Sequence, residues 1–98
     1  MKENHPDGII LLKGRFLLNH IDEIKHLVSN ETKSARDRNP FDRIIKMIKS
    51  PNEFIITTTD EKFTQRLARA IHRAFNTDLS FEWLHEEKFV RVTCYRDV

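Results

Sequence analysis

Between Glu53 and Phe75 the apolar pattern changes period once, and that change restricts the fold more than any other feature of the chain. Residues 53–59 (Glu-Phe-Ile-Ile-Thr-Thr-Thr) are β-branched and aromatic, the composition of a strand. After Asp60, the segment Glu61–Phe75 places Phe63, Leu67, Ala70, Ile71 and Ala74 at helical spacing. Asp60, with Thr59 as its competitor, is positioned to cap that helix. A strand that runs straight into an amphipathic helix must bury the helix's apolar side, and a sheet beside it is the natural partner.

The remaining segments fit the same architecture. Gly8 and Gly14, the only 2 glycines, enclose Ile9-Ile10-Leu11-Leu12-Lys13, a short apolar run that reads as a buried strand. From Phe16 the period becomes helical: Phe16 or Leu17, Ile21, Ile24, Leu27 and Val28 define one buried face. Asn19 is a candidate cap for this helix, and Asn39-Pro40 is its expected end. Residues 41–49 read as a strand interleaved with Arg43, Lys46 and Lys49, and Ser50-Pro51-Asn52 turns it into the strand at 53–59. Residues 79–84 and 89–95 alternate as two more strands around the polar turn His85-Glu86-Glu87-Lys88. The expected order is β-α-β-β-α-β-β. The fold class is α+β, a two-layer sandwich with two helices on one face of a mostly antiparallel sheet. Residues 1–7 read as a flexible tail and 8–98 as a single α+β domain.

Length and composition bound the function. A chain of 98 residues has surface for one core. Its apolar runs fall far short of the roughly 18 residues that span a bilayer, so no membrane partner is expected. Met1-Lys2-Glu3-Asn4-His5-Pro6-Asp7 lacks the apolar region of a secretory signal, and a cytoplasmic location is expected. The 1 cysteine, Cys94, excludes an internal disulfide framework and a cysteine-rich zinc site. The net charge of +2 is a sum of unequal parts. Residues 33–49 carry six basic side chains against two acidic ones, whereas residues 76–90 carry Asp78, Glu82, Glu86 and Glu87 against Lys88. Position, more than the total, decides what such a surface attracts.

The sharpest local motif lies on the second helix. Lys62, Arg66, Arg69 and Arg73 follow one another at spacings of four, three and four, which aligns them along one stripe. Long cations held on one rigid element suit a nucleic-acid backbone; a solvated helix face is the plain alternative. Arg43, Lys46 and Lys49 cannot act together, because alternation separates Lys46 from the other two. Phe81 and Trp83 share a strand face, as do Phe89 and Tyr95, but aromatics in a domain this small belong mostly to the core. His5, His20, His26, His72 and His85 contain no pair at metal-binding helical spacing, and Cys94 has the setting of a buried, inert thiol. No nucleophile elbow, phosphate loop or dinucleotide fingerprint is present, so neither an enzyme, a metal nor a cofactor is expected.

One resemblance extends over almost the whole chain from Gly8. The run Glu53-Phe-Ile-Ile-Thr-Thr-Thr-Asp60, then Phe63-Thr-Gln-Arg-Leu-Ala-Arg-Ala-Ile-His-Arg-Ala-Phe75, closing on Phe89-Val-Arg-Val92, resembles a small bacterial family known as NMD proteins affecting ribosome stability and mRNA decay. That family is similar to part of the archaeal and eukaryotic large-subunit ribosome-export adaptor. The resemblance implies an α+β domain in an RNA- or ribosome-associated protein, with Arg66, Arg69, Arg73 and Arg91 at the matching positions of functional potential. Members usually carry a zinc ribbon of paired Cys-x-x-Cys motifs; a chain whose one cysteine is Cys94 does not carry that property over. The family's Leu-Ala-Arg-Arg-Ile stands here as Leu67-Ala68-Arg69-Ala70-Ile71. The resulting expectation is a non-enzymatic binding domain for RNA or a ribosomal particle through Lys62, Arg66, Arg69, Arg73, Arg43 and Arg91. The alternative is a protein-interaction or self-association module, with a protein partner or as a homodimer, that uses an edge strand such as 41–49 or the last hairpin.

Overall fold

The computed structural model describes residues 7–38, 44–84 and 89–98. Its elements run β1 (Gly8–Lys13), α1 (Arg15–Leu18), α2 (Ile21–Arg38), β2 (Ile44–Lys49), β3 (Glu53–Thr58), α3 (Glu61–Phe75), β4 (Asp78–Leu84) and β5 (Phe89–Tyr95). The strands form one sheet in the order β2-β3-β1-β5-β4. Neighbours are antiparallel except β1 and β5, which lie parallel at the centre. This is the expected α+β sandwich, with a mixed sheet and one extra short helix.

The extra helix comes from a break in what reads as one long helical pattern. In a continuous helix the Phe16 carbonyl would accept the backbone N–H of His20. Here the His20 ring takes it, Nδ1–H donating to Phe16 O at 2.6 Å, and the ring stacks on Phe16 with centroids 4.1 Å apart. The His20 backbone N–H turns to Leu17 O at 3.0 Å, and α2 starts afresh at Ile21.

The core is a single layer between the helices and one face of the sheet. Ile10 and Leu12 of β1, Phe54 and Ile56 of β3, and Val90, Val92 and Cys94 of β5 are buried at every second position. Leu17, Ile21, Ile24, Val28, Phe63, Leu67, Ala68 and Ile71 close on them from the helices. Phe54 and Phe63 lie in the core, and Phe16, Phe75 and Phe81 pack at its margin. On β2, Lys46 lies opposite Thr57 and Lys49 opposite Phe54, so the two lysines occupy different faces, as alternation requires. Arg43 lies outside the described residues.

The strand-to-helix passage is held by threonines. Asp60 has the extended backbone of a cap (φ −141°, ψ 135°) yet makes no side-chain capping bond. Thr64 Oγ1 instead donates to Asp60 O at 2.7 Å and also hydrogen-bonds Thr58 Oγ1. This knot lies directly under Gly8, where an added Cβ would fall 1.9 Å from Thr64 Oγ1. The ladder extends one residue before β1: Asp7 N–H donates to Thr58 O, and Val90 N–H donates to Asp7 O.

A clasp joins the β1–α1 turn to the last described residues. Gly14 turns there with φ +101°. Arg96 N–H donates to Lys13 O at 3.1 Å, and Arg15 N–H donates to Asp97 Oδ1 at 3.0 Å. The Arg15 guanidinium also donates to both Asp97 oxygens and holds that carboxyl below the usual carboxylate range. The Arg96 guanidinium lies 3.6 Å from the centre of the Phe16 ring and donates to Phe75 O at 2.8 Å, satisfying a carbonyl at the end of α3.

Cys94 is fully buried, and its surroundings make it a pH-dependent part of the core. Burial pushes the thiol up to about 11, with the nearby Thr77 hydroxyl pulling weakly the other way. Thr77 Oγ1 reaches no partner at good hydrogen-bond geometry, so its contact with the sulfur is weak. The fold therefore favours the neutral thiol. Its contribution to stability is complete below the unfolded pKa of about 8.5 and is lost as pH rises towards about 11. Unfolding free energy measured from pH 8 to 11 should fall more steeply for the wild type than for Cys94→Ala; parallel curves would contradict this.

Candidate nucleic-acid interface

Helix α3 owes its orientation to its own sequence. Phe63, Thr64, Leu67, Ala68, Ala70 and Ile71 are buried, so the helix is fixed with one side on the sheet and its neighbour α2. Its C-terminus is set by Asn76 in the left-handed region (φ 54°, ψ 55°), with Asn76 N–H returning to His72 O. His72 Nδ1–H donates to Thr77 O at 2.6 Å and fixes the turn into β4.

With that side buried, Lys62, Arg66, Arg69 and Arg73 all point outward and are exposed. Together with Gln65 they line one shallow concavity of about 370 Å³. At a rise of about 1.5 Å per residue, the stripe is about 16 Å long. Among the described residues no carboxylate forms an ion pair with any of the four; the pairs present are Arg15–Asp97, His20–Glu23 and Arg91–Glu82. Arg69 is additionally positioned by the Phe81 ring, which lies 5.4 Å from its guanidinium carbon. An anionic ligand would thus have no described carboxylate to displace from these guanidinium and ammonium groups.

Four of the six residues picked out by the sequence thus form one surface, and Arg91 does not join it. Arg91 lies on the opposite face of the sheet, where it donates through Nε and Nη2 to Glu82 Oε1 at 2.9 and 2.6 Å. The sheet stands between Arg91 and α3, because Arg91 alternates with Val90 and Val92, which face the helices. Arg43 is outside the described residues. Asp78 and Glu82 of the acidic later segment are on the Arg91 side of the sheet, away from the stripe. The clasp around Arg96 and Asp97 went unrecognised in the sequence, because nothing in a short polar end distinguishes an arginine stacked on Phe16 from a solvated one.

Among the described residues there is no group of three or more histidine, cysteine or acidic side chains able to hold a metal ion, and no helix is long and apolar enough to cross a membrane. Comparison with protein-family models, with curated proteins and with solved structures finds no match to this chain.

Proposed function

We propose that this protein is a non-enzymatic RNA-binding domain of the cytoplasm, acting on RNA or a ribosomal particle through the outer side of α3. The observation that carries the reading is the stripe Lys62, Arg66, Arg69 and Arg73, exposed together on one rigid helix with no carboxylate paired to it among the described residues. The resemblance of residues 53–92 to the NMD family supports the same partner class. Contacts of this kind go to phosphate oxygens, so they give affinity and orientation with little choice of base sequence.

The test is binding of a fluorescent single-stranded RNA across a salt series. Four phosphate contacts correspond to a slope of log K against log salt of about −3. Arg66→Glu, Arg69→Glu and Arg73→Glu combined should weaken binding by about 100-fold or more at 50 mM salt and flatten that slope. All three side chains are exposed, so the fold should survive. Absence of wild-type binding at low salt would sink the reading, as would equal binding by the triple variant. In either case α3 is a solvated face.

A further inference from the structure

The sheet has a second face, and the helices do not cover it. β1 is apolar at both parities: Ile10 and Leu12 point to the helices, whereas Ile9 and Leu11 point away. A continuous apolar run of this kind is the signature of a strand covered on both sides, while a one-sided sheet alternates apolar with polar. The open face carries Ile9 and Leu11 on its central strand, Ile55 and Phe89 on the flanking strands and Ile48 on the β2 edge. A concavity of about 630 Å³ is lined by Ile9, Ile48, Ile55 and Phe89 together with Ile45, Lys46 and Thr57. Ile48 remains 44% exposed and Tyr95, at the rim of the same face, 45%.

We infer that this face is the interface of a symmetric homodimer, in which the open sheets of two copies pack against each other about a two-fold axis running along β1. Charge placement selects a second copy and this axis. Lys46 on β2 and Glu82 on β4 lie at opposite edges of the face but in one row, through the register Lys46–Thr57–Ile9–Arg91–Glu82. A two-fold axis along the central strand exchanges the edges and preserves the rows. It therefore sets Lys46 of each copy over Glu82 of the other, and places Ile9 and Leu11 on their own counterparts. Two rows on, Lys13 falls on its own counterpart, and Glu53 of each copy, one strand to the side, offsets the two like charges. Glu82 already holds Arg91 of its own chain through Oε1, so Lys46 of the second copy would join an existing ion pair, and Arg91 itself comes over Thr57 of that copy. The face is complementary to itself, with apolar residues along β1 and opposite charges at exchanged edges.

Its size fits a reversible association. Five strands at about 4.8 Å spacing and six residues at about 3.3 Å make a footprint of about 24 by 20 Å. That is below the roughly 800 Å² of accessible surface per partner of a standard stable interface, before side-chain relief is added. The dimer should accordingly form at micromolar concentrations. Each copy would keep α3 on its outer side, so this inference is independent of the RNA reading.

Sedimentation equilibrium of the full chain from about 1 μM to 1 mM decides it. The wild type should pass from monomer to dimer over that range. Leu11→Glu should remain monomeric, with its helical signal by circular dichroism intact. Should Leu11→Glu fail to fold, the exposed pair decides alone: Lys46→Glu should raise the dimer dissociation constant about tenfold, and adding Glu82→Lys should restore it to within about threefold. A wild type that stays monomeric to 1 mM overturns the inference. So does a dimer that ignores both Leu11→Glu and Lys46→Glu, or a charge reversal that Glu82→Lys does not rescue.

Discussion

Gly14→Val should cost about 3 kcal/mol or more of unfolding free energy, a shift of about 12–24 °C in melting temperature for a domain of this size. Two independent penalties meet at this residue. Its φ of +101° belongs to a region that side chains with a Cβ rarely occupy, and a β-branched residue least of all. An added Cβ would also sit 2.2 Å from Arg96 O and 2.5 Å from Arg96 C, both backbone atoms. Backbone cannot swing aside as a flexible side chain can. Relief would require the last residues to lift from the β1–α1 turn, giving up the Arg96 N–H bond to Lys13 O and the stacking of Arg96 on Phe16. Thermal and urea unfolding would measure the change. A melting temperature within about 4 °C of wild type would mean the clasp is not part of the stable fold.

Phe54→Ala should be more damaging, at about 4 kcal/mol. The ring is 2% exposed and sits on β3 facing the helices, with Lys25 Nζ 5.9 Å from its centre. Its removal forfeits the transfer of a phenyl group from water and leaves a cavity between α2 and the sheet, which a flat strand cannot collapse to fill. Against a total stability of about 5–15 kcal/mol, that loss would leave a substantial unfolded fraction in warm solution. Chemical denaturation would show a lower midpoint with an unchanged slope. A loss below about 1.5 kcal/mol would indicate that Phe54 packs loosely and that the core is centred elsewhere.

The fold was largely legible because period and burial agree. The β-branched and aromatic composition of residues 53–59 and the alternation in 89–95 marked two strands, whose Phe54, Ile56, Val90 and Val92 share one face, and the helical spacing of Phe63, Leu67 and Ile71 supplied their cover. What escaped were effects of tertiary placement. The division of the first helix depends on the His20 ring capturing Phe16 O, a local competition that apolar spacing does not register. The stripe on α3 was readable because a helix fixes angular position from spacing alone. Arg91 was not, since which face of a strand it occupies matters only once the helices are known to cover the other. The open face was visible in part: the unbroken Ile9–Leu12 run carries it, but only the strand order brings Ile55, Ile48 and Phe89 around that run.

The parallel pairing of β1 with β5 has a temporal side. Of the five strands the central one is synthesised first, and one of its two neighbours is synthesised after the other four: Gly8 pairs with Val90, and Lys13 with Tyr95. Until then a nascent chain can form the β2–β3 hairpin and dock α3, while one edge of β1 stays open and β4 has no attachment to the sheet. So large a sequence separation at the middle of the sheet raises contact order, which slows folding.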